Sequence, residues 1–187
     1  MNNIILNKVI NIIKQINTSG IKINETKECN NIISTFYPNI LNLVEEEKTI
    51  SEFYSNNIGN WYARCNLEKN HYKFLEAYII HKIGEVLYFY KNENLTSRKF
   101  LIHSTDCISA VQFLSRVNKN ILNIFIRSSD AVNLLLADCL FGCKLLSKVL
   151  DEFNIKKNAE DEINIWITSC HFYDKDIKLV DNIIKNG

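Results

Sequence analysis

The stretch from Ile121 to Thr168 constrains the fold of this chain more than any other segment. Ile121 to Ile126 alternates, with Leu122, Ile124 and Ile126 on one side, the period of a half-buried strand. Ala131 to Phe153 then runs on with a single glycine, Gly142, and a strongly apolar face, so it is expected to form one long helix. Ile163 to Thr168 alternates again, Ile163, Ile165 and Ile167 opposing Asn164, Trp166 and Thr168. A helix this apolar between two strands has to be buried. The expected architecture is therefore α+β: a mixed sheet backed by a long buried helix.

The flanking segments agree with that frame. Leu6 to Ile16 has helical periodicity, with Val9, Ile10, Ile12, Ile13 and Ile16 on a wide apolar stripe, and Gly20 ends it. Lys22 onward reads as irregular or strand-like. Pro38 and the acidic run Glu45 to Glu47 mark a turn region, the run being a solvated loop or a helix start. Ile50 to Tyr62 is expected to be a short helix, Tyr72 to Tyr90 a longer one, and Arg98 to Ile102 a short strand. Asp176 to Lys185 closes the chain as a helix with Ile177, Val180, Ile183 and Ile184 inward. No repeat, low-complexity tract or linker interrupts the 187 residues, which read as one domain spanning 1–187.

Charge and cysteine usage exclude several classes of function. A formal net charge of +1 gives no basic footprint for duplex nucleic acid, though it permits a local anion site. Asn and Lys interrupt the apolar first sixteen residues, which form neither a signal peptide nor a membrane span. The expected location is the cytoplasm. Six cysteines (29, 65, 107, 139, 143 and 170) include no CxxC pair, so reduced thiols are expected and no metal site. Cys139 and Cys143, four apart on the long helix, suit two small buried side chains.

Four features could carry chemistry. Cys107 follows Asp106 and opens a strand, where it is either a buried structural thiol or a nucleophile whose thiolate a downstream arginine favours. Arg127-Ser128-Ser129-Asp130 is expected where a strand meets the start of the long helix. A guanidinium and two hydroxyls there would make an anion site, while Ser129 or Asp130 as a helix cap is the simpler reading. Asp138 sits amid apolar residues, and burial there requires a partner or ligand unless it faces water. His171 and Tyr173, two apart on a strand, share a face and can hydrogen-bond one small ligand, or simply pack together.

In this order the features resemble the thymidylate synthase and pyrimidine-nucleotide hydroxymethylase superfamily. Cys107 with Gln112-Phe113 is similar to the family's nucleophile strand, and the Arg127 to Asp130 stretch with Asp138 eight residues on to its phosphate and pyrimidine segment. His171-Phe172-Tyr173, after a Trp-containing strand, resembles its ribose contact. Thr96-Ser97-Arg98-Lys99 is similar to a basic stretch that reaches the partner subunit's phosphate. The likeness runs from about Tyr72 to Tyr173. Departures are plain as well. The synthases have proline before the nucleophile and histidine after it, where this chain has Asp106 and Ile108. They have asparagine where this chain has Asp138, and Leu134 and Ala137 replace a glycine and a proline. The stretch between Arg98 and Cys107 is shortened. The chain also stops soon after Tyr173, which implies that the folate-covering C-terminal region is lacking.

The resemblance implies a homodimer and C5 alkylation of a pyrimidine nucleoside monophosphate. The simplest case is hydroxymethylation of CMP or dCMP with methylenetetrahydrofolate as one-carbon donor. Aspartate at position 138 favours cytosine, because the exocyclic N4 is a donor and a carboxylate accepts from it. Implied roles are Cys107 as nucleophile and Glu52 as organiser of water and proton transfer. Arg127 and Ser128 would hold the phosphate, with Arg98 and Lys99 supplied by a second subunit. Asp138 would read the base, His171 and Tyr173 the sugar, and Asp130 the folate ring. The alternatives are a thymidylate synthase acting on dUMP and a non-catalytic nucleotide-binding or regulatory relative.

Overall fold

The computed structural model describes residues 3–38, 43–58, 61–89, 98 and 100–187, apart from the side chains of 61–71, 87 and 89. Asn3 caps α1 (Ile4–Ser19) by accepting the Leu6 N–H at 2.9 Å. The stripe Ile5, Val9, Ile13 and Ile16 of α1 is fully buried. A hairpin of β1 (Ile21–Ile23) and β2 (Thr26–Phe36) follows, then α2 (Leu43–Ile58) and α3 (Trp61–Phe89). β3 (Leu101–His103), β4 (Ile108–Ser115) and β5 (Asn120–Asp130) form a meander. α4 (Leu135–Glu152) leads into β6 (Glu162–Tyr173), and α5 (Ile177–Asn186) ends the chain. The sheet order is β1-β2-β6-β5-β4-β3, antiparallel except for the pair β5–β6. Parallel neighbours need a crossover, and α4 supplies it.

This is the expected mixed sheet with a buried helix behind it. From Leu135 to Cys143 every residue of α4 is buried. Gly142 lets the helix lie close to the sheet, since a Cβ there would stand 2.6 Å from Ile124 Cδ1. α1 and α4 pack on one sheet face, while α2, α3 and α5 pack around them. The opposite face carries exposed Ile33 (58%) and Trp166 (45%), with Phe125 beside Trp166 at 5.9 Å between ring centroids. A polar ladder crosses that face over four strands. Thr35 Oγ1 donates to Asn164 at 2.5 Å, Asn164 to Asn123 at 3.0 Å, and Asn123 to Gln112 at 3.1 Å.

β3 opens at Leu101, with Arg98 in a turn before it, and three other boundaries differ more widely from what the sequence predicts. α2 begins at Leu43, so the acidic run Glu45 to Glu47 lies in its first turns and favours the positive end of the helix dipole. α3 begins at Trp61, well before Tyr72. The third difference bears on the site. β5 continues through Asp130, and α4 starts only at Leu135. Its ladder extends further still, because the Ala131 N–H donates to the His171 carbonyl at 2.7 Å. The Asp130 carboxylate then closes a turn by accepting from the Val132 and Asn133 N–H groups at 3.0 and 3.1 Å. Arg127-Ser128-Ser129-Asp130 is consequently strand and not the mouth of a helix.

The inward side of the sheet also changes parity at one level. β5 buries Leu122, Ile124 and Ile126 and then Ser129, while β6 buries Ile163, Ile165 and Ile167 and then Cys170 and Phe172. In β2 the switch falls at Asn31, whose φ of 57° is a left-handed conformation that asparagine tolerates. β4 has a bulge between Ile108 and Ala110. Strict alternation cannot forecast such a step, and the candidate chemistry gathers beside it.

Candidate active site

Cys107 lies in the bend just before β4 and is exposed, so it is not a buried structural thiol. Its carbonyl accepts the Arg127 N–H at 2.7 Å, which fixes the two residues side by side across the β4–β5 ladder. Arg127 is itself exposed. A thiol and a guanidinium so placed can serve as nucleophile and anion anchor on one ligand.

Asp138 is 6% exposed, in the first turn of α4, and does not face water. Its cost of burial is offset by hydroxyl donors: Ser129 Oγ to Oδ2 and Tyr72 Oη to Oδ1, each at 2.7 Å. The positive end of the α4 dipole adds to this. Tyr72 is held in turn by stacking on Phe141, with ring centroids 5.1 Å apart. Ser129 thus links Asp138 to the strand that carries Arg127. Sequence periodicity gave no sign of Tyr72, because its contact spans 66 residues.

The structure brings His171 and Tyr173 together at the end of β6, with rings edge-to-face at 5.4 Å. Ser169 precedes them on the same face and pairs with Ser128 in the β5–β6 ladder. Asp130 is the ladder partner of His171, but its carboxylate is turned into the 131–133 segment, where Oδ2 also accepts from Asn133 Nδ2 at 2.8 Å.

A cavity of about 430 Å³ is lined by Phe74, Leu75, Tyr78, His103, Ser104, Thr105 and Asp106, the residue before Cys107. α3 supplies its aromatic wall. Tyr78 Oη donates to the His103 carbonyl at 3.2 Å, which ties that wall to β3. Ser104 Oγ accepts the Asp106 N–H at 3.2 Å and shapes the bend leading into Cys107. Apart from Asp106, these lining residues carry no signal in the sequence, because α3, which supplies three of the seven, shows only an apolar, aromatic-rich pattern.

Other expected site residues stand on other elements. Glu52 is exposed on α2, whose buried side is Ile50, Phe53, Tyr54 and Ile58, and no hydrogen bond among the described residues joins it to this cluster. Arg98 is exposed in a turn before β3, while Lys99, Thr96 and Ser97 lie outside the described residues. Among the described residues no helix is long and apolar enough to cross a membrane, and no group of three or more His, Cys, Asp or Glu is placed to hold a metal.

Burial separates the thiols. It pushes Cys139, Cys143 and Cys170 well above the ordinary thiol range, the nearby Asp138 carboxylate adding to the effect at Cys139 and Cys170. Since the thiolate is the reactive form, a limiting maleimide at neutral pH is expected to modify Cys107 early and these three only after unfolding. Peptide mapping by mass spectrometry checks the order. Early labelling of Cys139 or Cys143 would mean that α4 opens readily and would undercut the packing described above.

No protein-family model matches the sequence, and no curated protein matches it. Among solved structures, a thermostable thymidylate synthase A from Bacillus subtilis is similar, with a TM-score of 0.58 at 14% identity over 97% of this chain and 84% of that one. At that identity the likeness establishes architecture. The chain has a thymidylate-synthase-like α+β fold.

Proposed function

We propose that the protein is a one-carbon transferase, a pyrimidine nucleotide C5 hydroxymethyltransferase acting on CMP or dCMP. The observation that carries this reading is the exposed Cys107 fixed across the β4–β5 ladder from Arg127, with the residue before it, Asp106, lining an aromatic-walled cavity. In this reading the Cys107 thiolate adds to C6 of the ring, and the S–C6 bond makes C5 nucleophilic. Once C5 has bonded the one-carbon unit, the bond from that carbon to its donor breaks with the electron pair going to the donor, water supplies the hydroxyl oxygen, the C5 proton passes to solvent, and expulsion of the Cys107 thiolate restores the ring. Arg127 and Ser128 hold the phosphate, with Arg98 and Lys99 of a second subunit, while His171 and Tyr173 hold the sugar. Asp138 accepts from cytosine N4.

Methylenetetrahydrofolate, when bound, supplies a one-carbon unit at the oxidation level of formaldehyde. The cavity walls suit such a group. Phe74 and Tyr78 offer faces for a planar heterocycle, and Asp106 offers an acceptor for its N–H groups. Asp130 contributes in this reading by shaping the turn after β5. Glu52 stays a candidate for proton transfer through water. The test is incubation with CMP or dCMP and methylenetetrahydrofolate, followed by mass spectrometry for the 5-hydroxymethyl product. A product methylated on dUMP instead would favour a synthase, and no product with any of the nucleotides would favour a binding role.

The same reading includes a homodimer. The open sheet face presents Ile33, Phe125 and Trp166 next to the ladder Thr35–Asn164–Asn123–Gln112. Amide side chains both donate and accept, so this face can satisfy a two-fold copy of itself. Sedimentation equilibrium at micromolar concentration is expected to give a dimer, and Trp166→Glu to give a monomer. A native protein that stays monomeric with full nucleotide affinity would remove the shared phosphate site.

A further inference from the structure

Glu28 stands opposite His171 across the β2–β6 ladder, so the two side chains leave the sheet on the same face. Its Oε2 accepts from Ser169 Oγ at 3.0 Å. Ser169 is the neighbour of Ser128 in the next ladder and sits two residues before His171. Glu28, Ser169 and His171 therefore form one continuous polar patch, with Tyr173 at its end. An ionised carboxylate only accepts, and it has about four acceptor sites, of which Ser169 uses one. A ligand suited to this patch brings hydroxyl donors and keeps its negative charge elsewhere.

We propose that Glu28 makes the site selective for ribonucleotides, by accepting hydrogen bonds from the vicinal 2′- and 3′-hydroxyls of the sugar. This rests on the reading above, in which His171 and Tyr173 hold that sugar. Two donors on adjacent carbons match the two oxygens of one carboxylate, and acidic side chains read a ribose 2′-hydroxyl in this way in dinucleotide sites. A deoxyribose offers one donor fewer and sets a methylene against the charge, leaving acceptor capacity unpaired. The same charge repels a phosphate from this end of the patch and directs it toward Arg127, which fixes the direction of the bound nucleotide.

Calorimetric affinities of the native protein and Glu28→Gln for CMP, dCMP, UMP and dUMP decide the matter. The native protein is expected to bind each ribonucleotide about ten- to a hundredfold more tightly than its deoxy counterpart. In Glu28→Gln, which keeps the shape and removes the charge, the ratio is expected to fall to within about threefold, through weaker ribonucleotide binding. The native ratio needs no variant to fold. Equal native affinities, a preference for deoxyribonucleotides, or an unchanged ratio in Glu28→Gln would overturn the role of Glu28 while leaving the nucleotide site in place. Binding of none of the four would overturn both.

Discussion

Cys107→Ala is expected to abolish exchange of the C5 hydrogen of the nucleotide while leaving nucleotide affinity within about threefold of native. C5 becomes nucleophilic only once a thiolate has added to C6, so removing the thiol removes the step and lowers exchange by several orders of magnitude. In the proposed reading, ground-state binding rests on other groups: Arg127, Asp138 and the His171–Tyr173 pair. Because Cys107 is exposed, its truncation is expected to alter stability by no more than about 0.5 kcal/mol, and a lost activity is then not a lost fold. Exchange kinetics and calorimetry on the same preparation separate the two. A variant that still exchanges at near the native rate would make Cys107 a bystander.

Asp138→Asn is expected to move base preference from cytosine toward uracil by about ten- to a hundredfold, read as the change in the CMP to UMP affinity ratio. The side chain is buried with Ser129 and Tyr72 donating to its two oxygens. Hydroxyls accept as well as donate, so whichever faces the amide nitrogen can turn to receive its N–H while the other goes on donating to the amide oxygen. What changes is the face offered to the base. A carboxylate accepts from cytosine N4 but repels uracil O4, whereas an amide can donate to O4 and accept from N3–H. An unchanged ratio would show that Asp138 serves only to hold Ser129 and Tyr72.

The strands and helices were legible where burial acts on a long regular run. Ile121 to Thr168 announced its strand–helix–strand order because one inward face is maintained for many residues. The extent of β5 was not legible. Arg127-Ser128-Ser129-Asp130 has the composition of a helix start, and what keeps it extended is the ladder to β6, fixed by residues more than 40 positions away, together with the Cys107 carbonyl at Arg127. The parity step hid for a related reason, since Asn31 and the bulge in β4 alter the direction of side chains without altering composition.

The candidate site shows the same division. Cys107, Arg127, Asp138, His171 and Tyr173 were visible because their types, taken in order, resemble a known family's site, while each alone also fits a structural role. Tyr72, Ser169, Glu28 and the cavity walls on α3 were invisible, because a strand glutamate or a helical tyrosine resembles any other until tertiary contacts assign it. Asp138 links the two groups. Its cost in an apolar helix predicted a partner, and the partners are hydroxyls from β5 and α3.

The most direct measurement is release of tritium to water from CMP, dCMP, UMP and dUMP labelled at C5, with and without methylenetetrahydrofolate. Release from cytosine nucleotides is expected of the native protein, and none of Cys107→Ala. Release confined to uracil nucleotides would contradict the assignment of cytosine to Asp138. A native protein that binds these nucleotides yet releases tritium from none of them would contradict covalent catalysis by Cys107.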